Sequence, residues 1–212
     1  MYTLIVGTQD WSSWSLRPYL ALMASGAPFD MEVIRLRVTN TSRETILRYS
    51  PAGKVPVLKY DGMTVWDSLA ICETLAERHP EAQLWPADAA VRARARAYAC
   101  EMHSGFPDLR DQLNMDFVRR LPLPELRPET EIQIARIISA WEAALAAQGG
   151  DDFLFGKFSI ADCMYAPVVS RFTTYDVTVP PRVKAYMDKV WALPGMQNWL
   201  AASQKEVVEG IA

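Results

Sequence analysis

The sequence predicts a chain of the α/β plus all-α class: a mixed sheet with its helices in residues 1–80, a linker at 81–87 and a helical bundle in residues 88–212. Three observations carry this. In the first part, short apolar runs of strand character alternate with helical ones in the order β-α-β-α-β-β-α, the pattern of a sheet with helices on its faces. Two of those strands flank Asp61-Gly62, the strongest short hairpin signal that a sequence offers. Beyond Pro80 the strand character ends, and Pro86 and Asp88 lead into long stretches of helical periodicity.

Residues 2–7 form the first apolar, β-prone run, and the Ser- and Trp-rich residues 11–15 lead into 16–24, whose apolar spacing suits a helix stopped at Gly26. Phe29, Met31 and Val33 alternate with Asp30 and Glu32 as a second strand would. Residues 42–49 read as helix until Ser50-Pro51, because a proline pushes the residue before it out of the α region. Residues 55–60 and 63–66 are the arms of the hairpin, and 68–79 read as a helix ended by Pro80. In the second part, Ile134, Ile137, Ile138, Trp141 and Leu145 share one face of a helix over 131–147 that Gly149-Gly150 closes. Pro181 and Pro194 stand where a first-turn proline starts a helix.

Half of the 212 residues are hydrophobic and 22% are charged, enough apolar surface for a sizeable core. A net charge of −3 gives no broad attraction to phosphate backbones or anionic lipid, so neither nucleic acid nor a membrane is expected as a partner. Cys72, Cys100 and Cys163 form no CxxC and, with only His79 and His103 beside them, no metal-ligand spacing; no metal is expected. The sparse, odd cysteine count fits a reducing compartment, Met1 runs straight into Tyr-Thr-Leu-Ile-Val without the basic start of a secretory signal, and no apolar stretch approaches the roughly 20 residues of a membrane helix. A cytoplasmic protein is expected.

The residues that carry chemistry begin with Ser50-Pro-Ala-Gly-Lys-Val-Pro-Val-Leu58, where Pro56 cannot donate to a sheet ladder and belongs at an edge or in a cis bond. Trp66-Asp67-Ser68 then opens a helix whose free amides suit a carboxylate, although Asp67 or Ser68 also reads as a plain N-cap. Together with Asp61-Gly62 and the following Ala70-Ile71, these motifs resemble the glutathione-binding half of the cytosolic glutathione transferases, whose first domain is thioredoxin-like and whose second is helical. The resemblance implies that glutathione is the co-substrate. It implies a cis bond at Val55-Pro56, a cysteinyl unit paired to the Val55 backbone, a γ-glutamyl end held by Asp67 and Ser68, and Lys54 near the glycyl end. Gly156-Lys-Phe-Ser-Ile-Ala-Asp162 is similar to the family's buried capping box, in which Ser159 and Asp162 satisfy each other's helix-end donors. A homodimer and a small hydrophobic electrophile as second substrate are implied as well.

The catalytic element is expected between the first strand and first helix. Gly7-Thr8-Gln9 offers no tyrosine and no cysteine precedes Cys72, which argues against the tyrosine-type and cysteine-type members. Ser12-Ser13-Trp14-Ser15, followed by Arg17, is similar to the serine-type members, the zeta class above all, in which the first serine faces the sulfur; the role falls on Ser12, with Ser13 and Ser15 as alternatives. Zeta members have cysteine where Trp14 stands and also differ at Pro18, so the resemblance does not bring their isomerase activity with it. A serine is no base at neutral pH. Its useful act is to donate to the thiolate, and a hydrogen bond to a charged group, about 1.5 to 3 kcal/mol, lowers a thiol pKa of about 8.5 by roughly 1 to 2 units. Opposite the sulfur, Trp11, Met102, His103, Phe106 and Arg110 are candidates for the electrophile site, although His103 reads first as a hydrogen-bonded interdomain histidine.

Overall fold

A computed structural model describes residues 1–36, 41–149 and 152–212. The first part is a four-stranded sheet in the order β2-β1-β3-β4, formed by β1 (Tyr2–Gly7), β2 (Phe29–Ile34), β3 (Val57–Tyr60) and β4 (Met63–Val65). β1 pairs parallel with β2 and antiparallel with β3, and the β3–β4 hairpin turns at Asp61 and Gly62, both at positive φ. That is the backbone demand behind an Asp-Gly turn. Successive β1 side chains face opposite sides: Tyr2, Leu4 and Val6 join the core shared with α1 (Ser13–Ser25) and α3 (Ser68–Arg78), while Ile5 packs with Ile34, Ile46 of α2 (Thr41–Leu47) and Val57. Burial on both faces explains why β1 reads as a continuous apolar run. β2 is an edge strand, and its Asp30 and Glu32 are exposed there.

The second part holds α4 (Ala89–Ser104), α5 (Pro107–Gln112), α6 (Pro128–Gln148), α7 (Ile160–Thr174), α8 (Pro181–Trp191) and α9 (Pro194–Val208). Asp88 caps α4 through Oδ1, which accepts from Ala90 and Val91 at 3.0 and 2.8 Å. α7 runs through the centre and is buried around almost its whole circumference, so it reads as apolar on every side. Its start is a capping box: Asp162 accepts from the Ser159 amide at 2.9 Å and, on its other oxygen, from Leu154 N–H at 3.1 Å and the Tyr186 hydroxyl at 3.2 Å. Burial outweighs these donors and raises the Asp162 pKa to about 6.

One hydrophobic core runs through both parts, from Leu16 and Leu20 of α1 to Val168 of α7 and Trp199 of α9. Polar ties fix the same junction. Trp199 Nε1 donates to the Gln9 carbonyl at 2.8 Å, Ile160 N–H donates to Leu84 O at 2.9 Å, and Asp10 Oδ1 accepts the amides of Phe117 and Val118. The loop before α1 is therefore held by the helical half, which sets the position of the site.

Several boundaries differ from expectation, two of them beside the site. α1 begins at Ser13 instead of residue 16 and carries Pro18 inside its second turn, near enough to the start that few helical hydrogen bonds are lost. β3 begins at Val57 instead of residue 55, because Pro56 has no N–H to enter the ladder. Gly26 and Gly149 end α1 and α6 in the left-handed conformation; Gly150 lies outside the described residues. No helix among the described residues is long and apolar enough to cross a membrane.

Candidate functional site

A cavity of about 460 Å³ opens where the loop before β3, the start of α3, the start of α1 and the end of α4 meet, a volume suited to a small ligand. One wall is Lys54, Val55 and Pro56, with the Val55–Pro56 peptide cis. Val55 lies just outside the β3 ladder, and among the described residues its backbone makes no hydrogen bond, so it can take an extended ligand backbone as an added strand. Lys54 is exposed at the rim and has no ion-pair partner among the described residues.

The second wall is the N-terminus of α3. Asp67 Oδ1 accepts from Leu69 and Ala70 at 3.1 and 3.3 Å, so the N-cap reading of this residue is realised; the Ile71 amide goes to the Asp67 carbonyl. Among the described residues this leaves the amide of Ser68, and its hydroxyl is fully buried, lines the cavity and has no hydrogen-bond partner. A buried hydroxyl without a partner costs about 1–3 kcal/mol, which a ligand oxygen at this spot would recover. Beside the helix dipole, that ligand group is an anion.

The third side is Trp14 and His103. His103 Nε2 lies 2.9 Å from Asp67 Oδ2, spanning the two parts of the chain, and its ring meets that of Trp14 edge-on with centroids 5.2 Å apart. Ser12 Oγ is hydrogen-bonded to Ser15 Oγ at 2.7 Å, and Ser15 Oγ also accepts the Gly7 amide at 3.1 Å. Ser15 is thus an interior helix residue tied to the end of β1 and not a cap, and Ser12, at the N-cap position, makes no side-chain cap bond either.

The structure brings Lys54, Val55, Pro56, Asp67, Ser68 and His103 to one cavity. The serines stand just behind the Trp14 side: Ser12 and Ser13 are buried at 5% and 6% exposure and do not line it as it stands. Of the electrophile-site candidates, Trp11 does not reach the cavity wall. The amides of Trp11 and Ser12 both bond to Thr8 O, which folds Trp11 into the turn before α1 and leaves Trp14 to face the cavity. Met102 and Phe106 face the core instead, 1% and 6% exposed. Arg110 is turned back on the end of α4, donating to the carbonyls of Gly105, Met102 and His103.

Sequence reasoning missed Trp66 on the wall and an arginine cluster behind Trp14. The guanidinium groups of Arg17 and Arg110 lie 4.2 and 4.8 Å from the Trp14 ring centroid. Arg171, 5% exposed, is the third member and donates to Leu113 O. Arg17 is fully buried and none of its three nitrogens has a partner. Burial, then the charges of Arg110 and Arg171, push its pKa well below the usual arginine value. Among the described residues no carboxylate pairs with any of the three. Desolvating such an ion costs several kcal/mol even after relaxation, and a desolvated cation–π contact returns only about 2 kcal/mol. The i, i+3 spacing of Trp14 and Arg17 was the available signal, but it is readable only once α1 is known to begin at Ser13.

Residues 11–78 match the family described as glutathione S-transferase, N-terminal domain, and residues 124–189 match glutathione S-transferase, C-terminal domain. The chain belongs to the glutathione S-transferase family. It is similar to the maleylacetoacetate isomerase of Rattus norvegicus, 29% identical over 172 residues and covering 80% of this chain and 78% of that one. It is also similar to a stringent starvation protein A homolog of Haemophilus ducreyi, 26% identical over 176 residues, 81% and 78% covered. Among solved structures, a glutathione transferase homolog from Burkholderia with bound glutathione superposes with a TM-score of 0.73 at 25% identity, covering 96% of this chain and 98% of that one. The glutathione transferase fold thus extends over nearly the whole chain, from β1 to α9.

Proposed function

We propose that the protein binds glutathione along the Lys54–Ser68 side of this cavity and transfers its sulfur to an electrophilic carbon. The observation that carries the reading is the buried, unpartnered Ser68 hydroxyl on the cavity wall beside a free helix-start amide. In this reading residues 1–80 bind glutathione and residues 88–212 complete the site for the second substrate. Ser68 takes the γ-glutamyl carboxylate and Asp67 its ammonium. The Val55 backbone pairs with the cysteinyl unit, and Lys54 faces the glycyl carboxylate.

Ser12 is the proposed donor to the thiolate. The O–O distance within the Ser12–Ser15 pair serves either hydroxyl as donor. When a thiolate binds, Ser15 donates to Ser12 and Ser12 to sulfur, while the Gly7 amide continues to donate to Ser15, a chain whose members strengthen one another. The start of α1 adds a field of the same sign. The thiolate then attacks the electrophile: a C–S bond forms, and a leaving group departs with the bonding electrons or, at an activated double bond, a proton from water completes the adduct. Trp14 and Trp66 offer flat apolar surface for its body. Glutathione-dependent isomerisation is a second reading, favoured by the likeness to the rat isomerase, and would use the same thiolate. We also infer a cytoplasmic homodimer, a reading supported by family membership and by the free cysteines.

Calorimetric titration with glutathione tests the reading at its base. Binding with thermal stabilisation is expected; no heat and no stabilisation at millimolar glutathione would end it.

A further inference from the structure

We propose that Glu206 of α9 is a positioning residue for the sulfur chemistry: it fixes the loop that carries Ser12 and so aims that hydroxyl at the thiolate. The inference rests on the glutathione-binding reading and on Ser12 as the donor. Within itself the loop between β1 and α1 is held by a tight turn, the amides of Trp11 and Ser12 both bonding to Thr8 O. Its other ties reach across the chain. Thr8 N–H donates to Ile34 O of β2 at 3.1 Å, and Trp199 Nε1 of α9 donates to Gln9 O at 2.8 Å. Asp10 is gripped at three places: Glu206 Oε2 accepts its amide at 3.0 Å, the Phe117 amide reaches its carbonyl, and its Oδ1 accepts from Phe117 and Val118. These ties end just before Ser12, so α9 sets where that serine stands.

For stability alone Glu206 is a poor choice at this spot. It is 6% exposed, its Oε1 is buried without a hydrogen-bond partner, and no cation pairs with it among the described residues. Asp10 Oδ2 is buried and unpartnered as well, and burial, then the charge of Asp116, raise the Asp10 pKa, with Arg119 the opposing cation. A buried carboxylate short of donors costs the fold, and a second carboxyl beside it adds to that cost. What the carboxylate gives in return is a firm hold: a hydrogen bond from an amide to a charged acceptor is roughly twice as strong as one between neutral groups. A donor that must meet a sulfur needs such a hold, because a misplacement of about 1 Å caused far from the chemistry can lower a rate about 100-fold.

The test follows the ultraviolet thiolate absorbance of bound glutathione in Glu206→Leu, which keeps apolar volume at the site and leaves the Asp10 amide without its acceptor. The bound thiol is expected to titrate roughly 0.5 to 1 unit higher than in the unsubstituted protein, part of the shift that one hydrogen bond to the thiolate supplies, with glutathione affinity changed less than about threefold. Glu206→Gln keeps an acceptor for the amide and should restore the lowered value. A purely structural Glu206 would move the melting temperature alone. An unchanged titration in Glu206→Leu would therefore overturn the proposal, as would a raised one that Glu206→Gln does not restore. Hydrogen exchange of the unsubstituted protein gives a second measurement that needs no variant to fold: the Asp10 amide should be among the slowly exchanging ones, and exchange at the rate of an open chain would overturn the proposal too. A bound thiol that already titrates at the free value in the unsubstituted protein would end the activated-sulfur reading and this proposal with it, whereas indifference to Glu206 ends this proposal alone.

Discussion

His103 Nε2 stands 2.9 Å from Asp67 Oδ2, joining the end of α4 to the start of α3 across the mouth of the cavity. The same carboxylate caps α3 through its other oxygen. The two roles differ in weight. A polar contact whose carboxylate is half exposed contributes at most about 0.2–1 kcal/mol, whereas loss of an N-cap costs about 0.5–2 kcal/mol.

Asp67→Ala should therefore lower the melting temperature more than His103→Leu. For a chain of this size the loss of the cap, typically about 1 kcal/mol, corresponds to about 2–4 °C. Differential scanning calorimetry of both variants without ligand decides it. An equal or larger loss in His103→Leu would mean that the interdomain pair, not the cap, is the stabilising role.

Ser68→Ala separates a ligand-binding role from a structural one. The hydroxyl has no protein partner, so its removal should leave the melting temperature of the free protein level or slightly raised. Glutathione affinity should fall about 10- to 100-fold, the effect of one lost hydrogen bond to a charged group. A destabilised protein with unchanged affinity would remove Ser68 from the site.

Asp162 should impose a pH dependence on stability. Folded Asp162 keeps its proton up to about pH 6, while its ordinary value is 3.8, so between these the native state binds more protons. The contribution is full below pH 3.8 and is lost as pH rises through 6, about 3 kcal/mol in all. Urea unfolding of the natural protein and Asp162→Asn should show their stability difference moving against the natural protein by that order between pH 4 and 7. A difference moving in its favour would contradict the assignment.

Much of this was legible in the sequence. Asp61-Gly62 marked the hairpin, Gly26 the end of α1, Pro181 and Pro194 the starts of α8 and α9, and Ser159 with Asp162 the capping box, because each acts through its own backbone or its near neighbours. The wall from Lys54 to Ser68 was legible for the same reason, its residues being close in sequence. The opposite side was not. Whether Trp11 or Trp14 faces the cavity depends on where α1 begins, and a shift of three residues there decides which indole the helix presents. Arg17, Arg110 and Arg171 meet only through the packing of α1, α5 and α7, which no local pattern records.

The cysteines should be dispensable for chemistry. Cys72 and Cys163 are buried, and burial pushes both thiols up, away from the reactive thiolate. Replacing Cys72 and Cys163 by alanine and Cys100 by serine should leave conjugation with glutathione intact, at a cost to stability of about 0.5–3 kcal/mol for each buried site. Conjugation lost while glutathione still binds would point to a thiol-transferase.

The titration of bound glutathione by its ultraviolet thiolate absorbance asks most directly whether this cavity holds an activated sulfur, and it requires no knowledge of the second substrate. The bound thiol should titrate roughly 1 to 2 units below the free value of about 8.5, and Ser12→Ala should return most of that shift while changing affinity less. Ser15→Ala, which removes the partner that orients Ser12, should return part of it, and Ser13→Ala none. A bound thiol that titrates like free glutathione would contradict the account, and a lowered value indifferent to Ser12 would move the role to another donor.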